Sequence, residues 1–230
     1  MYLRRTVVLA LTLCGAAFAS AQGIYSPSQY QKFSDGPLSF VDYSGGYSHL
    51  ENFEDGAFNA PGVIGSGGAV LSPGVQTDSV DEDDGILNGL GSAGHSYYVS
   101  GNKVEFTFDK SVLGWLPTHA GFAWTDVGFS DLALGFDQVI FEAFDGAGVS
   151  IGTSGWTLVG DGNTTGETAE DIFFGANHAA GIAKISLTSK FSTDWEVDHL
   201  QYGYQPVPEP ASLAVLTLGA LGLLRRRKKS

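Results

Sequence analysis

The sequence predicts an all-β body, an antiparallel β-sandwich of jelly-roll type, between an N-terminal signal peptide and a single C-terminal hydrophobic helix. Three observations predict it. Apolar and polar residues alternate in short runs, most plainly in Val104-Glu105-Phe106-Thr107-Phe108, which is the period of a half-buried strand. Glycine-rich turns separate the runs, and the chain has 32 glycines. No segment between the two termini shows a helical period. About nine or ten short strands with such turns fit a two-layer β fold.

In chain order, Met1-Tyr2-Leu3-Arg4-Arg5 is a positively charged start and residues 6–18 are apolar. Ala19-Ser20-Ala21 is a small-x-small cleavage site, so residues 1–21 read as a signal peptide and Gln22 as the mature start. Cys14 lies inside the apolar run after Leu13, which excludes a lipoprotein cleavage site. Residues 22–205 form one exported domain without internal repeats. Residues 38–41 and 47–53 are short strand candidates on either side of Ser44-Gly45-Gly46. Residues 59–74, with Pro61 and Pro73, read as loop, and residues 77–85 as an acidic loop. Further strands are expected at 104–108, 121–127 and 138–144. Asp145-Gly146 turns the last of these toward a hairpin partner at 149–153. Residues 156–159, 172–174, 182–188 and 195–202 complete the set.

The tail, 206–230, has three parts. Pro206-Val207-Pro208-Glu209-Pro210 is a stiff proline hinge, 211–224 is uncharged and apolar, and Arg225-Arg226-Arg227-Lys228-Lys229 ends it. As a helix the apolar part is about 21 Å long, short of the roughly 30 Å hydrocarbon core, although basic side chains can extend its reach. The cations stay cytoplasmic, which places the body outside. Val207, Pro208, Glu209 and Pro210, followed by the apolar segment and the cationic end, resemble the PEP-CTERM sorting signal of exported bacterial proteins. That resemblance implies transient insertion in the inner membrane, processing by an exosortase, and a final place at the cell surface or outside the cell. A second resemblance runs through residues 50–203. It is carried by Asn52-Phe53-Glu54-Asp55-Gly56, residues 77–85, Leu116 to Asp126, Phe141 to Asp145, Glu167 to Asp171 and Glu196 to Gly203. This order resembles the uncharacterised exported domain often found on PEP-CTERM proteins, a family without an established biochemical activity.

Charge narrows the partners. All 25 acidic residues lie between Gln22 and Pro210, where only five lysines accompany them, so that stretch carries −20. Such a surface opposes nucleic acid and anionic lipid and attracts divalent cations. The body has no cysteine, so export brings it no disulfide. Asp78, Asp81, Asp83 and Asp84 crowd into one short loop ending at Gly85. Like charges so close need solvent or a hard cation with oxygen ligands, and structural Ca2+ is the cofactor expected. The EF-hand spacing fails, because Val80 and Gly91 fall on its first and twelfth places. Asp161-Gly162-Asn163-Thr164-Thr165-Gly166 is a weaker loop candidate. Glu54 and Asp198 form a long-range alternative, by likeness to sandwich modules that hold calcium between the first and last strands. The five histidines are scattered, and His119 and His199 are the most suggestive of them. Catalytic residues are not expected, since no nucleophile motif or phosphate loop is present. Trp115, Trp124, Trp156 and Trp195 could stack on sugar rings or fill the core. Three readings follow: a non-catalytic surface or matrix protein that binds extracellular polysaccharide, a purely structural surface protein, and, less favoured, a glycoside hydrolase or lyase.

Overall fold

The computed structural model describes residues 23–127, 135–163 and 166–206 of the 230-residue chain. The signal peptide and the sorting motif from Val207 onward therefore lie outside the described residues, as do Thr164 and Thr165. The described part is all-β, with two antiparallel sheets. Its strands are β1 (Gly23–Ile24), β2 (Ser28–Gln29), β3 (Tyr47–Glu51), β4 (Val63–Ser66) and β5 (Gly68–Leu71). Then come β6 (Ser96–Ser100), β7 (Lys103–Phe108), β8 (His119–Val127), β9 (Asp137–Asp145) and β10 (Ser150–Thr153). The last four are β11 (Thr157–Val159), β12 (Ile172–Asn177), β13 (Ile182–Ser189) and β14 (Asp194–Tyr204).

The first sheet runs β1-β12-β8-β14-β6-β5, with β2 also pairing β12 and β3 also pairing β14. The second runs β10-β9-β13-β7-β4, with β11 on β9. From β6 to β9, and again from β12 to β14, each strand lies in the opposite sheet from the one before. Inward residues of both sheets meet in one core. Phe106 of β7 lies 5.4 Å from Phe122 of β8, and Phe122 lies 5.9 Å from Phe141 of β9, both edge to face. Phe141 then stacks on Phe174 of β12 at 6.3 Å. Each such ring contributes about 1.5–3 kcal/mol by burial, and the tilted contacts add roughly 0.5–1.5 kcal/mol per pair. Trp124 and Trp195 complete this core and are fully buried.

The first sheet is covered on its outer face too. Tyr30, Leu38 and Val80 pack there on Ala123 and Phe173. All nine residues of β8 are buried for this reason. The cover consists of the N-terminal segment and the chain between β5 and β6. Both are pinned by backbone bonds: Glu82 N–H to the Gln31 carbonyl at 3.2 Å, and Gly91 N–H to the Gly166 carbonyl at 2.8 Å.

Several local expectations change. Residues 38–41 do not form a strand; Pro37–Phe40 is a 3-10 turn, which Pro37 starts with its fixed φ. The expected loop at 59–74 contains β4 and β5, which lie in different sheets. Gly67, at φ 86°, turns the chain from one sheet to the other, and a Cβ there would meet the Lys103 carbonyl at 2.3 Å. β6 was not expected, because Ser96 and Ser100 blur its period. One helical turn, α1 (Lys110–Leu113), follows β7. Asp109 caps it by accepting from Ser111 N–H at 2.7 Å, and Gly114 ends it at φ 79°.

Candidate metal centre

Two β-bulges set the acidic residues on the covered outer face. Between β8 and β14, Trp195 pairs with Val127 but Val197 pairs with Trp124, so β8 carries one extra residue there. The side chains of Trp124 and Val127 both enter the core, and Asp126 is turned to the other face. The second bulge lies between Asp198 and Gln201, which pair with Ala123 and Gly121. His199 is the extra residue and has φ 47°, a left-handed conformation uncommon outside glycine. Asp198 and His199 therefore both reach the outer face while Leu200 stays in the core.

Beneath the cover these residues form two groups. In the first, Asp78, Asp126 and Glu170 each offer an oxygen within 4.8 Å of the others, and all three are buried. Asp171 lies against them, fully buried. Both carboxylate oxygens of Asp78, both of Asp171 and Oε2 of Glu170 have no hydrogen-bond partner. Glu196 is the satisfied neighbour, accepting from Asp78 N–H at 2.8 Å and Ser96 Oγ at 2.5 Å. Lys103 and Lys184 both pair with Glu105, on the other sheet. Burial, then the surrounding carboxylates, hold Asp78 and Asp171 well above the usual range. Burial likewise pushes Asp126 to about 8. Glu170 is pushed to about 8 by burial and then by Asp161, and Glu196 to about 7 by burial. Buried carboxylates of this kind must be protonated or must face a cation. The group is all oxygen and irregular, a donor set that suits calcium better than magnesium or zinc. A cleft of about 460 Å3, lined by Thr157, Asp161, Glu170 and Asp171, adjoins it from outside.

In the second group, Asp83, Asp198 and His199 lie within the same 4.8 Å limit. His199 Nε2 is 2.8 Å from Asp83 Oδ1, and its Nδ1 is 2.8 Å from the Tyr30 hydroxyl. Asp198 accepts from Val80 N–H at 2.9 Å and His199 N–H at 2.5 Å. Burial, and then Asp83 beside it, hold the Asp198 carboxyl well above its ordinary range.

The six residues expected to bind metal are thus divided. Asp78 belongs to the first group, and Asp83 and Asp198 to the second. Asp81 accepts from Asn88 and Gly89 N–H at 3.0 Å and ties its own loop. Asp84 is exposed and closes a turn through Ile86 N–H at 2.7 Å. Glu54 turns to His95, accepting from its N–H at 2.5 Å, rather than joining Asp198. Of the two singled-out histidines, His199 joins a group, whereas His119 is a buried structural residue bonded to Thr118 Oγ1 at 2.9 Å, with burial lowering it to about 4. Asp126, Glu170, Asp171 and Glu196 were not expected at a site. Their signal was only that each charge interrupts or flanks a strongly apolar strand.

Among the described residues no helix is long and apolar enough to cross a membrane. No curated protein matches the chain. The model of the PEP-CTERM protein-sorting motif matches residues 206–228, just after β14. This chain therefore carries a PEP-CTERM sorting motif, which implies an exported protein processed by an exosortase and destined for the cell surface or the extracellular space.

Proposed function

We propose that residues 22–205 are a non-catalytic jelly-roll module of the cell surface or matrix, with a structural calcium ion at Asp78, Asp126 and Glu170. The observation that carries it is the wholly buried pair Asp78 and Asp171, whose four oxygens have no partner. A cation there would bind residue 78 of the covering loop to β8 and to the residues that precede β12. It would offset self-repulsion in a body that has neither disulfides nor enough lysines. The alternation of β6–β9 and β12–β14 between sheets supports the jelly-roll assignment. The tail supports transient anchoring in the inner membrane before cleavage.

The test is a thermal melt of the full-length chain in mild detergent, with chelator, with millimolar calcium, and with sodium chloride of matched ionic strength. Calcium at a hundredfold excess over Kd adds about 2.7 kcal/mol, a rise of roughly 5–10 °C for a domain of this size. Equal shifts from calcium and from salt would reduce the effect to screening. Saccharide release from common polysaccharides, lost when one carboxylate is replaced, would overturn the non-catalytic assignment.

Extracellular polysaccharide is the favoured ligand, on a separate observation. Trp124 and Trp195 are core, but Trp115 is 59 % exposed and stacks on Tyr204 at 5.5 Å and 9°. Tyr47 bonds the Trp115 carbonyl at 2.6 Å and steadies this ledge, which is the kind of flat aromatic surface that sugar rings stack on. Glycan-array binding that falls with Trp115→Ala supports it; an array without signal leaves the purely structural surface protein.

A further inference from the structure

We propose that Asp83, Asp198 and His199 form a second, independent site that takes a transition-metal ion of the zinc class. It shares no residue with the calcium pocket and does not rest on that reading. The donor set differs in kind. Two carboxylates and one imidazole within 4.8 Å are a mixed nitrogen and oxygen set. Imidazole suits zinc and its neighbours, whereas calcium and magnesium take oxygen.

A second observation points the same way. The Asp83 side chain is 2 % exposed, yet its Oδ2 has no partner. Asp198, fully buried, accepts from the backbone N–H groups of Val80 and of its own neighbour His199, and its side chain lies against that of Asp83. Two buried carboxylates in contact cannot both carry charge without a cation between them.

The surroundings orient His199 as a ligand. The bulge and the left-handed backbone fix its Cα, and Tyr30 fixes the ring by holding Nδ1. Nε2 is left facing Asp83. Tyr30 in turn lies 2.5 Å from the Gln201 side-chain amide, whose Oε1 has no other partner. The network can therefore run outward from the metal. His199 Nδ1–H donates to the Tyr30 oxygen, and the Tyr30 hydroxyl donates to the Gln201 amide oxygen once that amide is turned over. Nε2 then presents its lone pair to the ion. This is the supporting shell that metal-bound histidines carry, a hydrogen-bonded partner on the other ring nitrogen. Without metal the same groups run inward, with Nε2–H donating to Asp83.

The site would staple three segments. Asp83 brings the covering loop, Tyr30 brings the N-terminal segment, and Asp198 and His199 bring β14. Asn52, which follows β3, reaches Asp83 Oδ1 at 3.3 Å and steadies it from the fourth side.

The experiment uses the full-length chain in mild detergent, stripped with chelator and then held in excess calcium. Zinc is added in a calorimeter, and cobalt in parallel, whose visible bands report nitrogen ligation. One zinc per chain should bind in the presence of calcium. His199→Asn should weaken zinc at least 100-fold and abolish the cobalt bands; asparagine tolerates the left-handed backbone. Asp83→Asn, in the loop and away from that backbone, should do the same and guards against misfolding of the first variant. Tyr30→Phe should weaken zinc roughly 10-fold. Asp126→Asn should leave zinc unchanged while altering only the calcium response. Zinc binding as strong in His199→Asn and Asp83→Asn as in the parent would assign the metal to other surface histidines and overturn the proposal. Absence of stoichiometric zinc from the folded parent would also overturn it.

Discussion

Asp126→Asn separates a metal pocket from a merely buried acid. Asp126 is held near 8, against 3.8 in an unfolded chain, by burial and by Glu170 and Glu196. At pH 7.5 without metal, the folded chain keeps this carboxyl protonated while the unfolded chain ionises it. That difference costs at most about 5 kcal/mol, at 1.36 kcal/mol per pH unit. Its neighbours titrate together with it and share the cost. Even a third of the maximum, about 2 kcal/mol, corresponds to roughly 4–8 °C for a domain of this size. Asparagine keeps the shape, and its Oδ1 can still accept from Val127 N–H. The variant should therefore melt above the parent in chelator at pH 7.5. It should also lose most of the calcium-induced rise, because one anionic ligand is gone. The assay is a pair of melts, parent and variant, each with chelator and with millimolar calcium. A variant that melts below the parent in chelator would show that the carboxylate was already satisfied. A variant that keeps the full calcium rise would show that Asp126 is no ligand. Either result would refute the reasoning.

The raised carboxyls also fix the sign of the pH dependence: the folded state holds extra protons, so in chelator stability is greatest near pH 4–5 and falls as pH rises through about 7 to 8, where Glu196, Asp126 and Glu170 titrate. The calcium-induced rise in Tm should grow over the same range; melts at pH 5, 6.5 and 8 check both. Gly91→Ala places a Cβ 2.0 Å from Asp78 Oδ1 and 2.2 Å from the Ser79 carbonyl, so it should lower Tm in calcium and weaken calcium binding, as calorimetry would show. Phe122→Ala, at the centre of the ring contacts between the sheets, should cost about 3–5 kcal/mol in denaturant melts, whether or not calcium is present. N-terminal sequencing and mass spectrometry of surface-located protein should find Gln22 at the start and no Arg225-to-Lys229 cluster at the end; retention of that cluster would replace sorting with a permanent anchor.

The long central strands were legible because their physics is local. β7 alternates strictly, β9 carries Val139, Phe141 and Ala143 at every second place toward the core, and β13 does so from Ile185 to Leu187. The strands β4 and β5 were not legible. Their glycines and small residues carry no hydrophobic period, and each is held by pairing in its own sheet, β4 on β7 and β5 on β6, rather than by its own side chains. Pro37–Phe40 misled in the opposite sense. Leu38-Ser39-Phe40 imitates alternation in sequence, yet Leu38 is core and Phe40 is 81 % exposed, because the backbone is a 3-10 turn rather than a strand.

The acidic site was half legible for a related reason. Asp78, Asp81, Asp83 and Asp84 are neighbours in sequence, so their crowding is plain to read. Crowding in sequence does not place four carboxylates at one point, however. In the covering loop Asp78 faces β8 and β12, Asp81 turns back on its own loop, Asp83 faces β14, and Asp84 faces water. Their partners come from three strands or strand ends far along the chain. A strand with period two would have put Asp126 on the core face with Trp124, and Val127 on the outer face. The extra residue in β8 breaks that rule, and the extra residue in β14 does the same for His199. Each bulge follows from pairing with a neighbouring strand, and pairing is a property of the whole sheet. What the composition did foretell is the conflict that these bulges create. A chain with 25 acids and few lysines must leave some carboxylates without a cationic side chain. Here several of them are under a cover, where water cannot compensate, and that is where a cation has the most to contribute.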